Sequence, residues 1–67
     1  MNVQTIRLTS ELNEVQQAFA FGSINGQKVG MGIGFLRSAR KVGDTERVNH
    51  YQLGQLKRQH VPFEIVE

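Results

Sequence analysis

Cysteine is absent from this 67-residue chain, so no disulfide can form and no thiolate can bind zinc or act as a nucleophile. A chain without cysteine is typical of an intracellular protein, and we expect a cytoplasmic location. No apolar stretch is long enough to span a bilayer, and the N-terminus lacks the shape of a signal peptide, so no membrane partner is expected. The short length predicts one domain, residues 1–67.

Groups for catalysis and metal binding are also scarce. The two histidines, His50 and His60, are ten positions apart, whereas a zinc site needs three or four ligands. No serine is accompanied by a recognisable base and orienting acid. The alternating glycines of residues 30–34 have neither the dinucleotide-binding spacing nor the Gly-Lys-Ser/Thr end of a phosphate loop. We therefore predict a protein that is not an enzyme and has no catalytic, metal-binding or cofactor-binding residues.

Charge is present in modest amount but is distributed unevenly. Residues 28–60 contain seven Lys and Arg against two acids, a local net charge of +5, although the whole chain carries only +2. The segments before and after this basic middle are mildly acidic. Such a pattern is typical of proteins that bind a phosphate backbone or an acidic protein surface. A solvated basic surface without a partner is the alternative.

Hydrophobic periodicity predicts the element order β-α-β-β-α-β. Strands are predicted at residues 3–8, 29–35 and 63–66, with a further strand ending before Asn25, and apolar spacing predicts a helix from about residue 11. A second helix is predicted from about residue 46 to 60, capped by Asp44 or Thr45. This order is that of the ferredoxin-like split βαβ fold. We expect an α+β domain with one antiparallel sheet and both helices on one face. The alternative is a smaller sheet in which the first or last strand is unpaired or pairs with a second copy of the chain.

The run 29–35 alternates large apolar residues with glycine, and the dipeptide Asn25-Gly26 before it predicts a two-residue hairpin turn. Counting from that turn places Phe19 and Phe21 over the glycines of the neighbouring strand, where aromatic rings compensate for missing side chains. A register shifted by one residue would leave a bare glycine face. Such a face would suit close approach of a helix, a second subunit or a ligand.

Two classes of function follow from these features. The first is a small nucleic-acid-binding domain, with phosphate contacts from the basic residues and base stacking by the aromatic ones. The residues expected to make these contacts are Arg37, Arg40, Lys41, Lys57, Arg58, Phe19 and Phe21. The second is a protein-binding regulator or inhibitor of the phage or plasmid type. It would use the aromatic side of the hairpin or an exposed strand edge against a partner or a second copy of itself.

Overall fold

The structure is a computed structural model that describes residues 3–66. These residues contain two helices and five short strands. The elements in chain order are β1 (Gln4–Leu8), α1 (Glu14–Phe21), β2 (Ser23–Ile24), β3 (Gln27–Lys28), β4 (Thr45–Val48), α2 (His50–Arg58) and β5 (Phe63–Val66). The predicted α+β class with two helices is confirmed. The ferredoxin-like arrangement is not confirmed, because the strands form a three-stranded sheet and a separate hairpin.

The three-stranded antiparallel sheet has the order β4-β1-β5, so the first strand lies at its centre. Side chains alternate between the two faces of each strand. Ile6, Leu8 and Val48 lie on the inner face and are buried. The outer face carries exposed polar groups, among them Arg7, which forms an ion pair with Glu64 of the neighbouring strand. Neither predicted phenylalanine lies on this open face.

Both helices begin at an asparagine. Asn13 and Asn49 each accept the backbone N–H three residues ahead, and a glutamine at that position bonds back to the cap, which completes a capping box at each helix. The prediction that α2 begins near Glu46 is therefore wrong. Residues 45–48 form β4 instead, and α2 begins after Asn49.

The glycine run is not a strand, and the prediction for residues 29–35 is wrong. Gly30 and Gly32 have φ values of 57° and 72°, in the left-handed region, which breaks the extended backbone that a strand requires. The predicted pairing of Phe19 and Phe21 with these glycines is also wrong, because both rings belong to α1. The turn at Asn25-Gly26 is confirmed, but its hairpin pairs only residues 23–24 with residues 27–28.

The end of the glycine run instead packs against the C-terminal end of α1. The Leu36 amide donates to the Ala20 carbonyl at 2.9 Å, and the Phe35 amide donates to the Phe19 carbonyl at 3.3 Å. A Cβ at Gly34 would collide with the Ala20 carbonyl and lie 2.6 Å from the backbone nitrogen of Phe21. A helix, a second subunit and a ligand were the three neighbours considered for a bare glycine face. In the structure the neighbour of the glycine run is a helix, α1.

The core lies between the inner face of the sheet and the two helices. Its buried apolar residues are Ile6, Leu8, Leu12, Ala20, Leu36, Ala39, Val48, Leu56 and Val61. Both helices thus contribute to the same cluster as the inner face. No helix within residues 3–66 is long and apolar enough to cross a membrane.

Candidate binding surfaces

The segment that joins the glycine run to β4 is held by a buried carboxylate. Glu46 lies on the inner side of β4 and is only 8% exposed. Its two oxygens accept the backbone N–H groups of three consecutive residues, Arg37, Ser38 and Ala39, at 2.8–2.9 Å for the shortest bond to each. The Ser38 hydroxyl adds a weaker bond at 3.3 Å. This segment, residues 37–44, is hereafter called the basic loop, and its N-terminal half has a fixed backbone.

A second carboxylate holds the other half of the basic loop. Asp44 Oδ2 accepts the backbone N–H groups of Arg40 and Lys41, both at 3.0 Å. These bonds lower the pKa of Asp44 below its ordinary value. For Glu46, burial raises the pKa, but the hydrogen bonds from the loop amides outweigh burial, and the pKa is lowered. Both carboxylates are therefore charged at neutral pH and offset part of the positive charge of the loop.

Arg40 is held in place by three contacts. Its Nη1 donates to the carbonyl oxygens of Leu36 at 3.2 Å and Ala39 at 3.1 Å. Its guanidinium carbon lies 5.0 Å from the centre of the Phe21 ring, which is within the range of a cation–π interaction. Nε and Nη2 have no acceptor among residues 3–66, so this preorganised cation can still bind an anion.

Phe21, Arg40 and Lys41 line one groove of about 790 Å³. The groove runs between the end of β1, helix α1, the hairpin turn and the basic loop. Its other lining residues are Leu8, Ser10, Glu11, Leu12, Gln17, Ser23, Asn25, Gly26 and Val42. The groove therefore combines an apolar floor, hydroxyl and amide groups, two cations and one carboxylate, and we call it the basic groove.

The remaining predicted contact residues lie outside the basic groove. Arg37 is exposed on the basic loop but does not line the groove. Lys57 and Arg58 lie in the last turn of α2, and the residues that follow contact the start of α1 through the bond from Gln16 Nε2 to the His60 carbonyl. The basic loop lies at the opposite end of α1. The structure thus brings together three of the seven predicted residues, and separates Lys57 and Arg58 from them.

Phe19 belongs to a different surface. It is 53% exposed, and Val15, one turn earlier on the same side of α1, is 61% exposed. The apolar side of an amphipathic helix ordinarily faces the core, but Val15 and Phe19 face solvent. Helix α1 buries Ala20 instead.

The glycine run adds two more exposed apolar residues next to the C-terminal end of α1. Gly22 is the left-handed cap residue of the helix, and a Cβ at this position would overlap the backbone of Ile33. Ile33 is 75% exposed and Met31 is 81% exposed. Val15, Phe19, Met31 and Ile33 are together called the apolar stripe. Sequence reasoning missed their exposure because hydropathy alone assigns these residues to the core.

The described residues contain no group of three or more His, Asp and Glu side chains that could hold a metal ion. Comparison of the chain with known protein families, curated proteins and solved structures finds no match. The fold and its surfaces define the protein only as a small α+β protein with a basic groove and an apolar stripe. Its function is therefore argued from the geometry of these two surfaces.

Proposed function

We propose that the protein binds single-stranded nucleic acid in the basic groove, without catalysing a reaction. The observation that carries this proposal is the convergence of Phe21, Arg40 and Lys41 on one groove. Proteins that bind unpaired strands combine cations for the backbone with flat groups on which bases stack. A groove of this kind supplies both within a single site.

Each group in the groove has a distinct role in the proposal. The Arg40 guanidinium carbon lies 5.0 Å from the centre of the Phe21 ring, and in the proposal a base stacks against this pair. The Lys41 ammonium neutralises the adjoining phosphate. Ser23 and Asn25 offer a hydroxyl and an amide to base edges at the far wall of the groove. The tight packing of the basic loop around Glu46 and Asp44 means that little ordering is required on binding.

The charge of the groove limits its affinity. Glu11 also lines the groove and opposes an incoming phosphate, so the local excess is a single positive charge. Lys41 contacts one phosphate, and the Nε and Nη2 groups of Arg40 can contact a second while its guanidinium face stacks. Two phosphate contacts on a single strand release few counterions, so the logarithm of the binding constant should fall with that of the salt concentration at a slope of about −1.4. We therefore expect moderate binding at low salt that weakens visibly as salt is added.

Charge reversal at one groove position tests the proposal against general electrostatic attraction. Lys41→Glu should weaken binding of a short fluorescent oligothymidylate by about tenfold at low salt, measured by fluorescence anisotropy. Lys57→Glu changes the net charge equally but lies at the other end of α1, and it should have a much smaller effect. Equal losses for both variants would show diffuse attraction without a site. Absence of binding to the unmodified protein at low salt would remove the proposal altogether.

A second candidate function is a protein-binding regulator or inhibitor, and the apolar stripe is the observation that favours it. Solvent-exposed apolar side chains that lie side by side mark interaction surfaces in monomeric proteins. Methionine is common on such surfaces because its unbranched side chain adapts to its partner. Met31 lies between two glycines with positive φ, which places it at an exposed bend of the chain.

A further inference from the structure

We infer that Glu11 selects guanine among the bases that enter the basic groove. The inference rests on the proposed function, because it names the base that a bound single strand places beside Glu11. Among the described residues that line the groove, Glu11 is the one carboxylate, and it shares the groove with the cations Arg40 and Lys41. A carboxylate repels a phosphate backbone and so weakens binding. Hydrogen-bond donors on a base offset that loss, and the carboxylate therefore distinguishes between bases.

The carboxylate of Glu11 is available to a ligand, unlike the two acids of the basic loop. Asp44 and Glu46 accept backbone amides of that loop. Glu11 is exposed and, within residues 3–66, forms no ion pair, although Arg40 and Lys41 line the same groove. The acid and the two cations are thus separate binding groups in one site. A nucleotide that contacts both carries its phosphate at one and its base at the other.

The backbone on either side of the groove is fixed near Glu11. Leu12, the next residue, is buried in the core, and its carbonyl oxygen accepts Gln17 Nε2 at 2.9 Å. Gln17 Oε1 in turn accepts the Asn25 amide at 2.7 Å. One side chain of α1 therefore joins the segment that carries Glu11 to the turn on the far wall. Binding a base requires ordering of the Glu11 side chain but little movement of the backbone.

Guanine matches a carboxylate better than the other bases do. Its Watson–Crick edge presents two adjacent donors, N1–H and the N2 amino group, which can bond the two carboxylate oxygens side by side. Adenine and cytosine present one amino group next to a ring nitrogen that accepts, and thymine presents one N–H between two carbonyl oxygens. Those acceptors would face the carboxylate and repel it. Unpaired bases expose this edge to a protein, so a single strand permits the selection.

Short fluorescent thymidylate strands that differ at one central base test the selection. At low salt, fluorescence anisotropy should show that the strand with guanine binds about tenfold more tightly than those with adenine, cytosine or thymine, the effect of one good bidentate contact. Hypoxanthine at the same position lacks only the N2 amino group of guanine. It should lose most of the gain, because one of the two bonds is then missing.

A substitution at Glu11 assigns the selection to its carboxylate. Glu11→Gln should abolish the preference for guanine, because the amide nitrogen cannot accept from an N–H donor. The same variant should bind the all-thymidylate strand slightly more tightly, since a repulsive charge is gone, whereas a misfolded variant would bind it more weakly. Glu14→Gln is the matched control. It removes the same charge three residues further along the chain, outside the groove lining, and should keep the preference.

The outcomes separate this inference from the function on which it rests. Equal binding of the four strands would overturn the role of Glu11 and leave single-strand binding in the groove intact. A guanine preference that survives Glu11→Gln would do the same, and would assign the selection to another group of the groove. Failure of every strand to bind the unmodified protein at low salt would overturn both the selection and the proposed function.

Discussion

Among single residues, Glu46 was the hardest to predict, because it is a charged residue buried on the inner side of a strand. Residues 45–48 contain one apolar residue, Val48. Hydropathy therefore does not show that their side chains alternate between the two faces of a strand. A strand with a charged side chain at a core-facing position is rare, because an unpaired buried charge is costly. Here the carboxylate is satisfied by three consecutive backbone N–H groups, so the cost is offset. Those donors are the amides of residues 37–39 in the basic loop. No local sequence pattern predicts that they reach Glu46.

Replacing Glu46 by glutamine should destabilise the protein by about 2–3 kcal/mol. The amide removes the negative charge and replaces one acceptor oxygen by an NH2 group, which faces backbone N–H donors and cannot accept from them. Glu64→Gln is the matched control, because Glu64 lies on another strand of the same sheet but forms an exposed ion pair. That pair is expected to contribute at most about 1 kcal/mol. Urea denaturation of both variants measures the difference, and equal midpoints would contradict the role given to Glu46.

The same carboxylate makes the free energy of unfolding depend on pH in the acid range. The pKa values of Glu46 and Asp44 are lowered in the folded protein, so the folded state binds fewer protons than the unfolded state. Their contribution is complete above the unfolded values and decreases as pH falls through the folded ones. Unfolding free energy should therefore decline below about pH 4.5, the upper edge of the ordinary carboxyl range. Glu46→Gln should show a shallower decline between pH 5 and 3 when urea midpoints are compared.

Two glycines offer opposite responses to the same substitution. Gly34→Ala should destabilise the protein by about 3 kcal/mol or prevent folding, because the added Cβ would overlap the backbone of Ala20, which cannot move aside. Gly54→Ala adds the same methyl group within α2 where no atom lies within 4 Å. It should stabilise the protein by about 0.5–1 kcal/mol. Thermal unfolding of both variants provides the measurement, and a tolerated alanine at residue 34 would mean that the close helix contact is absent in solution.

At the scale of elements, the glycine run shows where periodicity is ambiguous. Alternation of apolar residues and glycine over residues 29–35 satisfies the strand pattern, yet glycine also permits the positive φ that ends a strand. The outcome depends on a partner remote in sequence, the carbonyl groups at the C-terminal end of α1. Those carbonyls accept the amides of Phe35 and Leu36. The sequence pattern therefore identified an unusual segment and predicted that another part of the molecule lies close to it. It could not distinguish a strand from a segment that packs against the end of a helix.

Elements set by local interactions were predicted more successfully. The first and last strands, the presence of a first helix and the turn at Asn25-Gly26 depend on side-chain periodicity and turn chemistry within a few residues. The start of the first helix was predicted about three residues too early, because Asn13 caps it and α1 begins at Glu14. The candidate site follows the same rule. Composition identified Phe21, Arg40 and Lys41 individually, but their convergence requires the basic loop to be held by Glu46 and Asp44. That long-range arrangement also separates Lys57 and Arg58 from the groove.

At the scale of the whole molecule, helix α1 separates two surfaces of different character. Its Gln17 and Phe21 side faces the basic groove, and its Val15 and Phe19 side forms the apolar stripe. The positive charge of residues 28–60 is thereby divided between different places. Part of it is offset by the carboxylates of Asp44 and Glu46, and part lies on α2. A monomer offers one groove with a small positive excess.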